Sequence, residues 1–362
     1  MERVILTTGG TGGHIFPALA LAEALKKKFP GIRILFIGGQ YGPEKTLAEG
    51  AGLEFEGLPV MGFLGRGARA IPAAGKMAFS LFKSLGLVKK FSPEAIAGFG
   101  GYASFAPMAA ARLLGVPALL HEQNAVAGQA NHFLALLADK ICVSLPQTEG
   151  FKKPFTVTGN PVREAVKNVR YALKEAQPRL LVLGGSQGAH ALNKFITENL
   201  AALKEANVEI RHQTGVKDLA ATREAYRAAG LPEEWVQPFF EDMAKMYAWA
   251  SLALCRAGAS TIAELCAVGM PAALVPFPAA IHDHQTINAR ILADNDAGVL
   301  IPEPELGGEK TAGRLIRLLE DTGELERISR NVLALNSGDA ALRLAEALES
   351  IGKKPAKSGK NR

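Results

Sequence analysis

Cysteine is scarce in this sequence and poorly spaced for chemistry. Cys142, Cys255 and Cys266 are odd in number, far apart and set in apolar segments. That excludes a disulfide framework or a cysteine metal site and leaves reduced core thiols. Long uninterrupted apolar runs are also missing. The longest, Phe105 to Leu120, is broken by Arg112, Gly115 and Pro117 and does not span a bilayer. The first strand is expected to begin almost at the first residue, so no signal peptide is expected. Acids are missing from the C-terminus, where Lys353, Lys354, Lys357, Lys360 and Arg362 account for five of the six net positive charges. The rest of the chain is near neutral, so no nucleic-acid partner is expected. Residues 353–362 read as a solvated basic tail able to touch an anionic membrane. Two nucleotide signatures are absent as well. No Gly-Lys-Ser/Thr follows the first glycine run, and Ile15 stands where the last glycine of GxGxxG belongs, so neither ATP nor NAD is implied.

What is present is organised around Gly9-Gly10-Thr11-Gly12-Gly13-His14. The apolar run Val4 to Thr8 before it has the pattern of a buried strand. Ile15 to Phe29 after it has helical spacing, with Pro17 in the first turn and Lys26, Lys27 and Lys28 in the last. A glycine turn from strand to helix presents backbone N–H groups to an anion. Strand-like runs at Ile32 to Ile37, Glu94 to Ala97, Pro117 to His121, Lys140 to Val143 and Phe155 to Thr158 alternate with helical stretches, the rhythm of a parallel sheet covered on both faces. After Gly159-Asn160-Pro161 the pattern restarts. Arg179 to Leu183 leads into Gly184-Gly185-Ser186-Gln187-Gly188 and a helix over Ala189 to Leu203. Further strands are expected at Val208 to Arg211, Trp235 to Phe239, Leu252 to Cys255 and Ala272 to Val275.

The fold class is therefore α/β with two Rossmann-like domains. The boundaries read as 1–160 for the first and 161–338 for the second. A helix near 339–352 is expected to return to the first. Ligands of such sheets sit beyond the carboxyl ends of the strands. Glycine and polar residues crowd those ends at 9–14, 98–102, 121–124, 184–188, 256–261 and 277–285.

Together these stretches closely resemble the MurG family, the bacterial peptidoglycan N-acetylglucosaminyltransferases. Gly9 to Pro17, His121 to Asn124, Gly159 to Arg163, Gly184 to Ala189 and Asp283-His284-Gln285-Thr286 with Asn288 carry the resemblance, which runs from Val4 to about Leu348. It implies a GT-B fold, with the two domains facing across a deep cleft. It implies UDP-N-acetylglucosamine as donor and the undecaprenyl-linked lipid I as acceptor, with inversion to a β-1,4 bond in lipid II and no cofactor. Ser186, Gln187 and the glycines beside them would hold the donor diphosphate, with Arg163 either pairing with it or forming a structural ion pair. Glu264 would bind the ribose, following Ala259, Ser260 and Thr261 in the donor site, or else serve only the helix dipole. Phe240 would line the uracil pocket, and Gln285 and Asn124 would contact the donor sugar. Thr11, Gly12, Gly13 and Tyr102 would surround the acceptor's pyrophosphate or muramoyl sugar, the first three also touching the donor.

For the base that takes the acceptor proton, His14 is the first candidate and Glu122 the second. His14 has the alternative of bonding the loop or a phosphate, and Glu122 of accepting loop N–H groups. No metal is implied. His282-Asp283-His284 lacks converging partners, and Asp294-Asn295-Asp296 reads as a polar helix end. The stretch Met77 to Phe91 mixes Phe79, Phe82 and other apolar residues with Lys76, Lys83, Lys89 and Lys90, after Arg66 and Arg69. It suits an interfacial helix, or a buried helix with a lysine-rich outer face. The former predicts peripheral attachment to the cytoplasmic face of the plasma membrane, in reach of other cell-wall synthesis proteins. Two alternatives remain on the same fold, a UDP-sugar 2-epimerase and a non-catalytic sugar-nucleotide-binding subunit.

Overall fold

The computed structural model describes residues 1–60, 70–173, 177–185, 187–280, 283–307 and 309–352, with backbone alone at 70–74 and 309. Ser186, His282, Arg66, Arg69 and the basic tail 353–362 lie outside the described residues. The chain forms two compact units, Met1–Arg163 with Asp339–Arg362, and Glu164–Gly338.

The first unit runs β1 (Arg3–Thr7), α1 (Gly12–Lys28), β2 (Arg33–Gly39), α2 (Glu44–Gly50), β3 (Glu54–Leu58), α3 (Ala70–Phe91), β4 (Ala95–Gly98), α4 (Phe105–Leu113), β5 (Ala118–Glu122), α5 (Gln129–Leu137), β6 (Lys140–Val143) and β7 (Thr156–Val157). The second runs α6 (Glu164–Lys167), β8 (Arg179–Leu183), α7 (His190–Glu198), α8 (Leu200–Glu205), β9 (Glu209–Gln213), α9 (Leu219–Ala228), β10 (Val236–Gln237), α10 (Met243–Trp249), β11 (Leu252–Cys255), α11 (Ala259–Val268), β12 (Ala272–Leu274), α12 (His284–Ala293), β13 (Val299–Leu300), α13 (Glu309–Glu320) and α14 (Thr322–Ala334). The last helix, α15 (Ala340–Ile351), packs on α1 in the first unit.

Both sheets are parallel and share one topology. Their orders are β3-β2-β1-β4-β5-β6-β7 and β10-β9-β8-β11-β12-β13. In each, the first strand of the unit lies in the middle and the order reverses beside it, between β1 and β4 and between β8 and β11. In β1, Val4 and Leu6 join the core beneath α1 and α15, while Ile5 points to the opposite face beneath α3, α4 and α5. Period-two side chains with helices on both faces explain why the strand is apolar throughout. All three cysteines are buried in these cores, and burial pushes each thiol up to about 12. They are inert core side chains.

Several local expectations are corrected. α1 starts at Gly12, not Ile15, because Gly12 and Gly13 take helical dihedrals behind the N-cap Thr11. Pro17 therefore sits in the second turn and cannot donate to the Gly13 carbonyl. The helix expected over Ala189 to Leu203 divides at Asn199 into α7 and α8. Strands β3 and β13 went unread. One is half-exposed and carries two glutamates, and the other is two residues long.

Candidate functional site

In the first unit the topological reversal brings the loops after β1 and β4 into contact. The Gly9 N–H donates to the Gly100 carbonyl at 3.3 Å. The Ser104 hydroxyl lies 3.0 Å from the Thr7 carbonyl and 2.6 Å from that of Gly100. Gly101 has φ +78°, and a Cβ there would stand 2.2 Å from the Gly9 carbonyl oxygen. Only glycine permits that approach. Buried Glu44 accepts the Gly10 N–H at 2.9 Å, which orients the turn from below. Thr11 and Gly13 are exposed and Gly12 is buried. Tyr102, exposed, opens the 3₁₀ turn that leads into α4.

The segment after β5 fixes the rest of this end. Glu122, 1% exposed, is filled by donors. Its Oε1 accepts from the Asn124 N–H at 2.9 Å and Asn124 Nδ2 at 3.2 Å. Its Oε2 accepts from the Gly128 N–H at 3.1 Å and Asn131 Nδ2 at 2.6 Å. This is the geometry of a carboxylate that ties a loop together. Asn124, expected at the donor sugar, has its amide turned to Glu122. His14 is partly exposed, and its Nδ1 lies 2.8 Å from Gln123 Oε1. Arg163 lies over the Phe16 ring at 4.3 Å, a cation–π contact one turn into α1. His14, Thr11, Gly12, Gly13, Gln123 and Arg163 thus gather around the start of α1. Buried His121 donates from Nε2 to the Gly159 carbonyl at 3.1 Å. Desolvation, with His14 nearby, holds its pKa down at about 4.

In the second unit the loop after β8 meets the loop after β9. The Gly184 N–H donates to the Gln213 carbonyl at 3.1 Å. Gly188 has φ +78°, and a Cβ there would stand 2.2 Å from the Thr214 carbonyl oxygen. Gln187 is exposed in the turn that ends at the start of α7, where backbone N–H groups and the helix dipole suit an anion. Buried Phe240 donates its N–H to Gln213 Oε1 at 3.0 Å.

Beyond β11, Ala259, Ser260 and Thr261 form the first turn of α11, and buried Glu264 accepts from the Tyr247 hydroxyl at 3.0 Å. Asn288 donates to the Ala257 carbonyl at 3.1 Å, and Gln285 Oε1 accepts the Phe277 N–H at 3.0 Å. Arg256 bonds the Val275 and Pro276 carbonyls and pairs with Glu303. The loops after β11 and β12 are thereby clamped to α12. Gln213, Tyr247, Asn131 and Glu44 escaped the sequence reading. Each acts by a contact distant in sequence, and no local pattern announces it.

In the first unit, α3 buries Ser80, Ser84 and Val88 and exposes Phe79 (60%) and Phe82 (74%). Lys83 turns inward, donating to the Gly57 carbonyl and pairing with Glu56 at 2.9 Å. No described helix is long and apolar enough to cross a membrane.

Residues 4–143 match the glycosyltransferase family 28 N-terminal domain and residues 179–344 the family 28 C-terminal domain. The chain is 46% identical over 357 residues to a UDP-N-acetylglucosamine--N-acetylmuramyl-(pentapeptide) pyrophosphoryl-undecaprenol N-acetylglucosamine transferase of Nitratidesulfovibrio vulgaris, covering 97% of this chain and 98% of that one. Among solved structures, MurG of Acinetobacter baumannii aligns with a TM-score of 0.75 and 31% identity, covering 97% of this chain and all of that one. A UDP-N-acetylglucosamine 2-epimerase aligns at 0.64 with 15% identity over 95% of each chain, a likeness of fold alone.

Proposed function

The chain belongs to glycosyltransferase family 28, and from that membership we propose that it moves N-acetylglucosamine from UDP-N-acetylglucosamine to the 4-hydroxyl of lipid I, giving lipid II. The observation that carries this reading is the 46% identity, across 97% of the chain, to a relative named for that transfer. The fold is GT-B, as in the structural relative.

The chemistry is a single displacement. The acceptor oxygen attacks the anomeric carbon, UDP departs from the opposite face, and the acceptor proton passes to a base. We assign the donor to the second unit. The turn at 184–188 and the start of α7 would meet the diphosphate as its charge grows, so that oriented N–H groups do the stabilising work. Glu264, steadied by Tyr247, would accept the ribose hydroxyls. Phe240 would border the base, and Gln285 would meet the sugar. Ser186 would join the diphosphate contacts. Arg163 is assigned to the same charge, its guanidinium held by stacking on Phe16.

The acceptor is assigned to the start of α1 and to Tyr102, with His14 as the base. Glu122 is assigned to loop structure because its four hydrogen bonds occupy it. We further propose that the exposed Phe79 and Phe82 face of α3 seats the protein peripherally on the cytoplasmic face of the plasma membrane, where the acceptor resides. The test is incubation with UDP-N-acetylglucosamine and lipid I. UDP and lipid II should appear together, and His14→Ala should lower kcat by roughly 100-fold or more. No lipid II from the unaltered protein would overturn the assignment. Release of UDP-N-acetylmannosamine without lipid would favour the epimerase.

A further inference from the structure

The reading of His14 as base leaves open which imidazole nitrogen takes the proton, and the buried neighbours answer it. The Gly159 carbonyl can only accept, so His121 Nε2, 3.1 Å away, carries a hydrogen. His121 is fully buried and neutral, so its Nδ1 keeps the lone pair. Gln123, itself buried, places its amide nitrogen 3.2 Å from that Nδ1, 3.2 Å from the Phe99 carbonyl and 3.2 Å from the His121 carbonyl. Three acceptors surround the position. Rotating the amide would set its oxygen against two carbonyl oxygens and a lone pair, so the nitrogen belongs there. The Gln123 oxygen is then the atom 2.8 Å from His14 Nδ1, and it accepts.

We infer that Gln123 and His121 are positioning residues that hold neutral His14 in its Nδ1–H form, so that Nε2 carries the lone pair offered to the acceptor hydroxyl. The relay runs from a backbone carbonyl through an imidazole and an amide, and each link permits one orientation of the next. The hydrogen bond at one ring nitrogen sets the state of the other. An aspartate in this place would orient the ring and also add charge. A glutamine only orients it.

The inference rests on the transferase reading for its meaning and on the hydrogen bonds for its content, and the two are tested separately. In protein labelled with 15N-histidine, two-bond 1H–15N spectra above pH 7 identify each tautomer. The His14 signals are those lost in His14→Gln. We expect Nδ1 protonated and Nε2 bare. Gln123→Leu should release His14 to the Nε2–H form and lower kcat about tenfold or more, with KM for both substrates within about twofold. An Nε2–H signal from His14 in the unaltered protein overturns the relay. An unchanged tautomer in Gln123→Leu also overturns it. A correct tautomer in a protein whose His14→Gln variant still makes lipid II at the normal rate overturns the base role instead.

Discussion

Replacing Glu122 by glutamine separates a structural carboxylate from a proton acceptor. Four donors point at this side chain, two at each oxygen, and the one in each pair that is a backbone N–H, of Asn124 or of Gly128, cannot turn into an acceptor. The glutamine oxygen keeps one pair. Its amide nitrogen meets the backbone N–H of the other pair donor to donor, while the asparagine amide beside it can flip to accept. A hydrogen bond to a charged acceptor is worth about 1.5–3 kcal/mol, so the loss is roughly that much. That is an appreciable part of the 5–15 kcal/mol that holds a typical domain folded. For a unit of this size it lowers the melting temperature by about 3–12 °C. Scanning calorimetry on both proteins measures the shift. Transfer to lipid I well below the melting point should stay within about tenfold of the unaltered enzyme, because His14 remains. A Glu122→Gln protein that melts like the parent yet transfers nothing would refute this reasoning and make Glu122 the base.

Further outcomes follow from other contacts. His121 and His212 are buried and neutral, with pKa values held down to about 4 and about 3 by desolvation. The unfolded chain binds their protons near the ordinary 6.5, so their share of stability is full above that value and drains as pH falls toward the folded values. Urea unfolding at pH 7 and pH 5 should show a loss of about 2 kcal/mol for each histidine. His212→Gln should remove the second unit's share, and a flat profile would refute the argument. Gly101→Ala and Gly188→Ala each drive a Cβ into a carbonyl oxygen at a left-handed φ. Each should cost about 2 kcal/mol or more, read as a lowered melting temperature, and a neutral substitution would contradict the loop packing. Phe79→Ser with Phe82→Ser should weaken binding to anionic vesicles about tenfold or more while leaving transfer in detergent unchanged. Unaltered vesicle binding would remove α3 from the membrane surface.

Much of the fold is written locally. Val4 to Thr8, Lys140 to Val143, Arg179 to Leu183 and Leu252 to Cys255 announce buried parallel strands, because a strand covered on both faces is apolar throughout. The repeated unit of strand, glycine turn and helix marks two Rossmann-like domains, and the glycines mark the strand ends where ligands collect. The misses share one cause. β3 carries acids, and β13 is too short to have a period. The true start of α1 depends on dihedrals that glycine leaves open.

The sequence by itself determined the α/β class, the two-domain plan, the inert thiols and the kinship, because apolar period, turn residues and motif spacing are properties of neighbours along the chain. Tertiary structure alone decided what each candidate side chain touches. It filled Glu122 with four donors, set Tyr247 on Glu264, laid Arg163 over Phe16 and linked His14 through Gln123 to His121. Those partners are 2 to 147 positions distant along the chain, and the fold alone brings them together. Whether an acid or an imidazole can move a proton is set by the groups the fold brings to it.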